Sequence, residues 1–414
     1  MKHIYTSIDL GSDNIKIIVC ELYGGKLNLL ACTSTKSKGI KRGLIVNVEE
    51  ASESLKSALK DIESMLGVKI RKALVSVPTY FAEFNFVKSE IKIDNEEHIV
   101  TSNDVSQALS STTLTKVTDK ETVAVLPIDF KVDDKITSNS PVNMKGEILG
   151  VRAIMVSTPK KNIYSVLKLL ESNGIEVVDI SLNSIGDMYA FKNKDNESKL
   201  GAIINIGSDT TTISIYNKGV LVRSSIVAIG GNAIENDISY VYKVDNKNAR
   251  KIKEKFALAY KRHANVSELY EVETTYDEKI KVNQFEISEL VQRRMEEILK
   301  LAKKELNILT NKELQYIIVT GGTSNLQDLQ YLVDEVFAKK ASITHLSLIG
   351  IRDNKYSSCV GNIVYFMTKL KLREKGYTML SGSDIEDLIS TKKNKLNLSN
   401  ESMLKKVFGY FFGE

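Results

Sequence analysis

The pattern of hydrophobic and polar positions near the N terminus predicts two β-strands joined by a tight polar turn. β-Branched and aromatic residues fill 4–8 and again 15–20, and the polar turn within 9–16 joins the two runs. Residues 201–216 repeat this pattern around a second turn within 205–212. One such hairpin in each half of the chain predicts a duplicated fold whose halves face each other across a phosphate.

The residue types in the first turn suit a phosphate ligand. Gly11 lets main-chain N–H groups approach a ligand closely, and consecutive N–H groups around Gly11 and Ser12 form a concave nest for an anion. Lys16 adds a point charge to the same phosphate, and Asp9 is placed to orient water on a bound magnesium ion. The alternative is an ordinary hairpin without a ligand, but the repeat in the second half favours phosphate binding.

Apolar residues at helical spacing alternate with short apolar runs along most of the chain. The predicted order of strand, helix and strand, with glycines such as Gly67 at helix ends, indicates an α/β fold. The main elements predicted in this way are 49–66, 71–77, 160–172, 175–180, 287–306 and 316–320.

A region of different character lies between about 80 and 156. Its strands alternate around one helix near 102–110, which predicts a small α+β insertion. The alternative is a plain insertion without a partner of its own.

Composition excludes several classes of protein. A chain of 414 residues predicts two or more domains, and 43% hydrophobic with 26% charged residues is typical of a soluble globular protein. The net charge of +5 is spread along the chain, so we expect no nucleic-acid partner. The four histidines are isolated and the three cysteines lack ligand spacing, so we expect no structural zinc site. Without a signal-like segment or a run of about eighteen apolar residues, we expect a cytoplasmic protein.

Several motifs together resemble one superfamily. The turns within 9–16 and 205–212 look like two phosphate loops, and VTGGTS at 319–324 looks like an adenosine loop. The segments GIKRGLIVN at 39–47 and GGNAIENDI at 230–238 are more specific. The chain resembles the actin/Hsp70-type ATPase superfamily, and within it the FtsA family of bacterial cell-division proteins, from its first strand to its last residue.

The resemblance implies an actin-like two-domain fold made of duplicated ribonuclease H-like halves, with a small inserted α+β subdomain and a C-terminal amphipathic helix. The implied parts are a first actin-like domain at 1–80 and 158–195 with a closing helix at about 356–372, an FtsA-type insertion at 81–157, a second actin-like domain at 196–355, a flexible linker at 373–400, and a membrane-targeting helix at 401–414.

The resemblance also implies ATP and Mg²⁺ as ligands. Lys16 would contact phosphate, Lys253 would lie near the base, and Asp9 would hold the metal through water. The implied nucleotide-binding residues are Gly11, Ser12, Asp13, Lys16, Gly207, Ser208, Thr210, Gly231, Asn232, Lys253, Gly321, Gly322 and Thr323.

Some positions depart from the family pattern. Asn205 stands where the second loop usually has aspartate, and Ser208 and Asp209 stand where it usually has glycines. Arg250 stands where a glutamate commonly supports the ribose. Asp187 is the one candidate for orienting an attacking water, and we expect it to be a surface helix residue instead. The sequence therefore predicts at most a weak ATPase that is mainly structural.

The C-terminal residues have a lipid-seeking pattern. Apolar side chains fill one face of a predicted helix, and lysines lie on the other, where they can reach anionic head groups. The alternative is that this face packs into the protein's own core. The predicted membrane residues are Met403, Leu404, Lys405, Lys406, Val407, Phe408, Phe411 and Phe412.

The resemblance implies an adaptor that binds ATP, self-associates into filaments and anchors the FtsZ ring to the cytoplasmic side of the cell membrane at the division site. Its implied partners are the FtsZ C-terminal peptide, near 249–292, further copies of itself, later division proteins and anionic lipids. The alternatives are a pilus-assembly-type actin-like ATPase, and an Hsp70-like or sugar-kinase-like ATPase.

Overall fold

A computed structural model describes residues 3–113 and 119–393. The described residues divide into two compact units. Unit 1 lies within Met1–Ala190, Ser347–Arg352 and Ser358–Glu414, and unit 2 is made of Phe191–Leu346 and Asp353–Ser357.

Unit 1 is built on a mixed sheet with an inserted second sheet. Its elements in chain order are β1 (His3–Leu10), β2 (Asn14–Tyr23), β3 (Lys26–Lys36), β4 (Ile40–Lys41), β5 (Leu44–Ile45), α1 (Val48–Leu66), β6 (Lys72–Val77), β7 (Glu83–Lys92), α2 (Ser102–Ser111), β8 (Lys120–Val132), β9 (Lys135–Thr137), β10 (Ile148–Pro159), α3 (Lys160–Glu171), β11 (Glu176–Leu182) and α4 (Asn183–Phe191).

The main sheet of unit 1 has the strand order β11-β6-β1-β2-β3. β1 pairs antiparallel with β2 and parallel with β6, and β6 pairs parallel with β11. Both faces of β1 are buried, since every residue from Ile4 to Leu10 is buried. The register aligns Asp9 with Ser76 and Ser76 with Ser181, so polar residues of β1, β6 and β11 meet at the carboxyl edge of the sheet.

The insertion of unit 1 forms its own sheet, in the order β7-β10-β8-β9. α2 packs on one face of this sheet and buries Val105 and Ala108 among apolar strand residues. Thr101 caps α2 reciprocally with Asp104, which fixes where this helix begins. This sheet with its one helix is an α+β subdomain, as the sequence predicts.

Unit 2 has elements that follow a similar plan. They are β12 (Leu200–Ile206), β13 (Thr211–Asn217), β14 (Val220–Val227), α5 (Gly231–Tyr242), α6 (Asn246–Lys255), β15 (Leu269–Glu273), β16 (Lys279–Asn283), α7 (Gln284–Leu309), β17 (Tyr316–Thr320), α8 (Leu329–Phe337) and β18 (Ala341–Ile343), with short 3₁₀ turns at Lys261–His263, Gly322–Asn325 and Asn354–Tyr356. The chain continues in unit 1 as α9 (Ser357–Leu372) and α10 (Gly382–Lys393).

The main sheet of unit 2 has the order β14-β13-β12-β17-β18. β12, β13 and β14 form an antiparallel meander, and β17 and β18 add to it in parallel. Unit 1 arranges β1, β2, β3, β6 and β11 in the same way. The predicted actin-like duplication is therefore confirmed.

The sequence-based prediction of a flexible linker over 373–400 is wrong for Gly382–Lys393, which form α10. Ser381 begins this helix, since its hydroxyl accepts from the Asp384 N–H (3.1 Å) and its own N–H donates to the Asp384 carboxylate (3.1 Å). The predicted membrane helix 401–414 lies outside the described residues. Of the helices within 3–113 and 119–393, none has the length and apolar character needed to cross a bilayer.

Helices α4 and α9 meet through glycines. A Cβ atom on Gly361 would lie 1.6 Å from the Gly186 carbonyl oxygen, a distance that no pair of atoms can adopt. The contact brings the polar residues of both helices together and leaves no room for a side chain at this point.

We expect Gly361→Ala to lower the free energy of unfolding by about 1–3 kcal/mol, because the new methyl group forces α4 and α9 apart. Gly382→Ala is the matched control, since nothing lies within 4 Å of a Cβ at that helical position. Urea denaturation followed by circular dichroism measures both. Equal midpoints for the two variants would show that the helix contact tolerates a wider spacing.

Candidate functional site

The first candidate loop is anchored by a buried ion pair. Asp9 at the end of β1 and Lys16 in β2 are cross-strand partners, and Lys16 Nζ lies 2.5 Å from Asp9 Oδ2. Burial alone would lower the pKa of Lys16, but the Asp9 carboxylate raises it above its ordinary value. The lysine therefore stays charged beside the turn, where it can meet an anion.

Asp187 lies in the same electrostatic neighbourhood, and its carboxylate also contributes to the raised pKa of Lys16. The expectation of a surface helix residue is wrong, because Asp187 is only 2% exposed. The close contact of α4 with α9 buries it, and the Ser358 hydroxyl donates to its Oδ1 atom at 3.0 Å. This part of unit 1 thus holds two carboxylates and one ammonium.

The turn itself is held by the β4–β5 hairpin. Gly11 is required there, since a Cβ would lie 2.7 Å from the Asn14 carbonyl oxygen. Ser12 Oγ accepts a hydrogen bond from the Gly43 N–H at 2.8 Å. The Asp13 carboxylate pairs with Lys36 and points to that lysine. The β4–β5 hairpin therefore engages Ser12, and Lys36 at the end of β3 engages Asp13.

The second candidate loop, 207–210, closes on the N terminus of α5. The carbonyl oxygens of Gly207 and Ser208 accept from the N–H groups of Gly231 (2.9 Å) and Asn232 (2.8 Å). Thr323 Oγ1 donates to the Gly207 carbonyl oxygen at 2.9 Å. The structure thus brings together five of the residues predicted from the sequence within unit 2.

Side chains and glycines complete this part of unit 2. Asn232 Nδ2 donates to Asp209 Oδ1 at 2.7 Å. Gly321 has φ of 95°, and a Cβ there would lie 2.4 Å from Asn205 Oδ1, so the adenosine-type loop packs directly on β12. Thr210 takes part through its carbonyl oxygen, which accepts from the Gly207 N–H at 2.9 Å. Gly322 opens the 3₁₀ turn Gly322–Asn325.

A buried charge cluster lies next to this loop. Lys253 Nζ is 2.5 Å from Glu235 Oε1, and Arg250 Nη2 is 3.0 Å from Glu235 Oε2. A Cβ on Gly231 would lie 3.4 Å from Lys253 Nζ, which places the cluster beside the GGN segment. Two cations and one carboxylate give these three side chains a formal charge of +1, which suits an electron-rich ligand.

Glu235 is a site residue that sequence reasoning missed. The sequence did contain a signal for it. Glu235 follows Gly231 by four residues in the GGNAIE segment, so the two residues lie on the same face of α5. Lys253 was predicted, and Arg250 was noted as a departure. The pairing of all three depends on the packing of α6 against α5, which no local pattern predicts.

Metal ligands are sparse in the described chain. Within residues 3–113 and 119–393, no group of three or more His, Cys, Asp or Glu side chains could hold a metal ion by itself. The predicted membrane residues from Met403 to Phe412 lie outside the described part of the chain.

Comparison with protein families gives two matches. The family model "Cell division protein FtsA" matches residues 202–361, and the model "SHS2 domain inserted in FTSA" matches residues 82–157. Together they span more than half of the chain and include the second candidate loop and the insertion.

Individual relatives agree with these matches. The chain is 27% identical over 381 residues to the cell division protein FtsA of Bacillus subtilis (strain 168), which covers 91% of this chain and 87% of that protein. It is also 27% identical over 360 residues to FtsA of Streptococcus pneumoniae serotype 2, with 86% and 78% covered.

Solved structures share the fold at low sequence identity. MreB5 of Spiroplasma citri bound to ADP has a TM-score of 0.55 at 14% identity and covers 89% of this chain and 98% of that one. The PilM-PilN type IV pilus biogenesis complex has a TM-score of 0.58 at 12% identity, with 87% and 98% covered. From its family matches, its relatives and its duplicated actin-like fold, we conclude that the chain belongs to the FtsA family of cell-division proteins.

Proposed function

We propose that this chain binds ATP, self-associates, and anchors the FtsZ ring to the cytoplasmic face of the cell membrane at the division site. The observation that carries the ATP-binding part is the buried Asp9–Lys16 pair at a glycine turn, since a charged lysine beside such a turn suits a phosphate. The ADP bound to MreB5, a protein of similar fold, supports the choice of nucleotide.

Each predicted residue then has a distinct part in binding. In unit 1, Lys16 contacts phosphate, and the main chain of Gly11 and Ser12 donates to phosphate oxygens. Unit 2 supplies the main chain of Gly207, and Gly321 flanks the adenosine. The remaining predicted residues, which support these contacts, are Asp13, Ser208, Thr210, Gly231, Asn232, Gly322 and Thr323.

The charge cluster supports recognition of the nucleoside. Lys253 lies near the base in this proposal, and Glu235 holds both Lys253 and Arg250. Asn232 Oδ1 is buried and has no hydrogen-bond partner among the described residues, so it is an acceptor that a ribose hydroxyl could use.

Magnesium fits the residues of unit 1. Mg²⁺ keeps several waters and is usually held through one or two carboxylates together with substrate phosphates. Asp9, 4% exposed at the turn, is such a carboxylate and would hold the ion through water. When bound, the ion would neutralise phosphate charge.

We propose at most weak ATP turnover. Asp187 is the one candidate catalytic residue for orienting water, because it is buried and held by Ser358 near Lys16. Asn205 lacks the negative charge that a metal-orienting aspartate would supply in the second loop, and Asp209 adds negative charge there. These departures favour a structural adaptor over an enzyme.

Exposed apolar residues support partner binding by both units. Val266, Leu269 and Tyr276 of unit 2 are more than half exposed and lie within 249–292, where the resemblance implies the FtsZ C-terminal peptide. Phe86 on β7 of the insertion is 59% exposed, which suits contact with another copy or with later division proteins. No nucleic-acid partner is proposed.

The tail completes the proposal. Residues 403–412 would lay their apolar side chains into the lipid interface while Lys405 and Lys406 meet anionic head groups. One short helix binds lipid weakly, but many tails on one polymer bind tightly through effective concentration.

The second candidate function is a pilus-assembly-type ATPase, favoured by the likeness to the PilM-PilN structure. That likeness rests on fold alone, and the lipid-seeking tail disfavours this alternative. The remaining alternative is an Hsp70-like or sugar-kinase-like ATPase. Phosphate release stimulated by a client peptide or an acceptor would favour these enzyme alternatives.

We expect Lys16→Met to weaken ATP binding by about 10- to 100-fold, because it removes a charge-assisted hydrogen bond to phosphate. Lys26→Met is the matched control, since Lys26 lies exposed at the start of β3. Titration with a fluorescent ATP analogue measures both variants.

An unchanged affinity in Lys16→Met would contradict the assigned role of this lysine. Absence of ATP binding by the unaltered protein at millimolar concentration would end the ATP proposal as a whole.

We expect removal of residues 403–414 to abolish flotation with vesicles of phosphatidylcholine and phosphatidylglycerol, because the apolar face is lost. Full-length protein should float, and ATP should strengthen its flotation if polymerisation is nucleotide-controlled. A Lys405→Glu, Lys406→Glu variant serves as the charge control and should float less as the phosphatidylglycerol content rises. Undiminished flotation of the truncated protein would show that the tail is not the anchor.

A further inference from the structure

The turns of the two duplicated hairpins have the same length and the same first three residue types. Each turn has four residues, 11–14 in unit 1 and 207–210 in unit 2, between a pair of facing strand residues. Each begins with glycine, serine and aspartate. Asp13 and Asp209 therefore hold the same position in their turns, and both bring a carboxylate to a candidate phosphate loop.

The two carboxylates have partners of different charge. Asp13 pairs with the ammonium group of Lys36, and Asn14 Nδ2 donates to Asp13 Oδ2 at 2.6 Å. Asp209 Oδ1 accepts instead from the amide of Asn232, with 2.7 Å between oxygen and Nδ2. An ammonium group offsets the charge of a carboxylate, whereas a neutral amide only orients it. The Asn232 contact therefore holds the Asp209 charge in place without cancelling it.

This charge lies in the part of unit 2 that a nucleotide would use. Asn232 is the second residue of α5, and its N–H donates to the Ser208 carbonyl oxygen at 2.8 Å. Thr323 Oγ1 donates to the Gly207 carbonyl oxygen at 2.9 Å, which ties the turn to the adenosine-type loop. The Asp209 carboxylate thus lies two residues from Gly207, whose main chain meets a phosphate in the proposed function.

We propose that Asp209 makes the chain discriminate between nucleotides by their number of phosphates, weakening ATP binding relative to ADP binding. The proposal rests on the nucleotide site proposed above. Like charges at close range repel, and ATP has one more charged phosphate group than ADP, so the repulsion from Asp209 is larger for ATP. A divalent cation on the phosphates offsets part of their charge, so the penalty is smaller for Mg-ATP than for free ATP.

Unit 1 imposes no comparable penalty in this proposal. The Lys36 ammonium offsets the Asp13 carboxylate, and the charged Lys16 lies beside the same turn. The discrimination is therefore assigned to the turn of unit 2.

A purely structural role for Asp209 makes a different prediction. A carboxylate near the N terminus of a helix is stabilised by the helix dipole, and the Asn232 contact holds Asp209 at that end of α5. Loss of such a role would lower the free energy of unfolding and would change ATP and ADP affinity alike. The ratio of the two affinities separates this role from charge discrimination.

Asp209→Asn is the direct test, because asparagine removes the charge and keeps an acceptor oxygen for Asn232. Isothermal titration calorimetry of the full chain with ATP and with ADP, each in EDTA and in excess Mg²⁺, measures the affinities. In EDTA, we expect Asp209→Asn to strengthen ATP binding relative to ADP binding by about 3- to 10-fold. In Mg²⁺ the gain should be smaller.

Asp195→Asn is the matched control, since it removes an exposed carboxylate of the same unit. Asp195 precedes β12 and Asp209 follows it, and the seven residues of this strand separate its two ends by about 23 Å. This variant should leave the affinity ratio unchanged. If Asp209→Asn fails to fold, Asp209→Ser replaces it, because serine also removes the charge.

The unaltered protein supplies a further arm. Its ratio of ATP to ADP affinity should rise when Mg²⁺ replaces EDTA, and this rise should be smaller in Asp209→Asn. The same ratio in the unaltered protein and in Asp209→Asn overturns the proposal and leaves nucleotide binding intact. An equal gain for ATP and ADP in the variant also overturns it, because the carboxylate would then not read the number of phosphates. Absence of binding of either nucleotide to the unaltered protein overturns the ATP proposal itself, and the Asp209 proposal with it.

Discussion

The buried pair of Asp9 and Lys16 is the interaction on which the candidate site of unit 1 depends. Placing two charges among apolar strands carries a desolvation cost that their attraction only partly offsets, so such a pair is weak support for stability alone. Here it lies at the open end of a glycine turn, with Asp187 nearby. A ligand phosphate and its metal ion would use both charges, and this is why a phosphate site accounts for the pair better than a purely structural role does.

The pair in turn depends on how β1 is held. β2 pairs along the whole of β1, β6 pairs with residues 7–9, and residues 378–379 hydrogen-bond the main chain at Ile4 and Thr6. The N–H and carbonyl groups of Ile4 and the N–H group of Thr6 thus find partners in a distant part of the sequence. A strand satisfied in this way has little freedom to shift its register, and Asp9, its next-to-last residue, is fixed with it.

Local pattern was enough to predict the two hairpins, the helical stripe of α1 and the α+β insertion, because alternation and helical periodicity directly reflect which face is buried. It was not enough for α10, whose polar composition resembles a linker although Ser381 and Asp384 form a helix-start signal. It also failed for Asp187, since the burial of that residue requires Gly186 to meet Gly361 from a helix 170 residues later. Glu235 was missed for the same reason, because its two cationic partners lie on another helix.

The hairpins of the two duplicated units differ in the charge of equivalent residues. Asp9 pairs across the strands with Lys16 in unit 1, and Asn205 pairs across the strands with Thr212 in the equivalent register of unit 2. The pair in unit 1 has a carboxylate and an ammonium group, and the pair in unit 2 has no charge. The loop of unit 2 is instead held by hydrogen bonds to α5 and Thr323, one of which runs from Asn232 to the Asp209 carboxylate. At this pair of positions the charge is therefore confined to unit 1, whereas unit 2 has charges at Asp209 and in the Glu235 cluster. This difference in charge supports the proposal that the chain binds a nucleotide and hydrolyses it weakly at most.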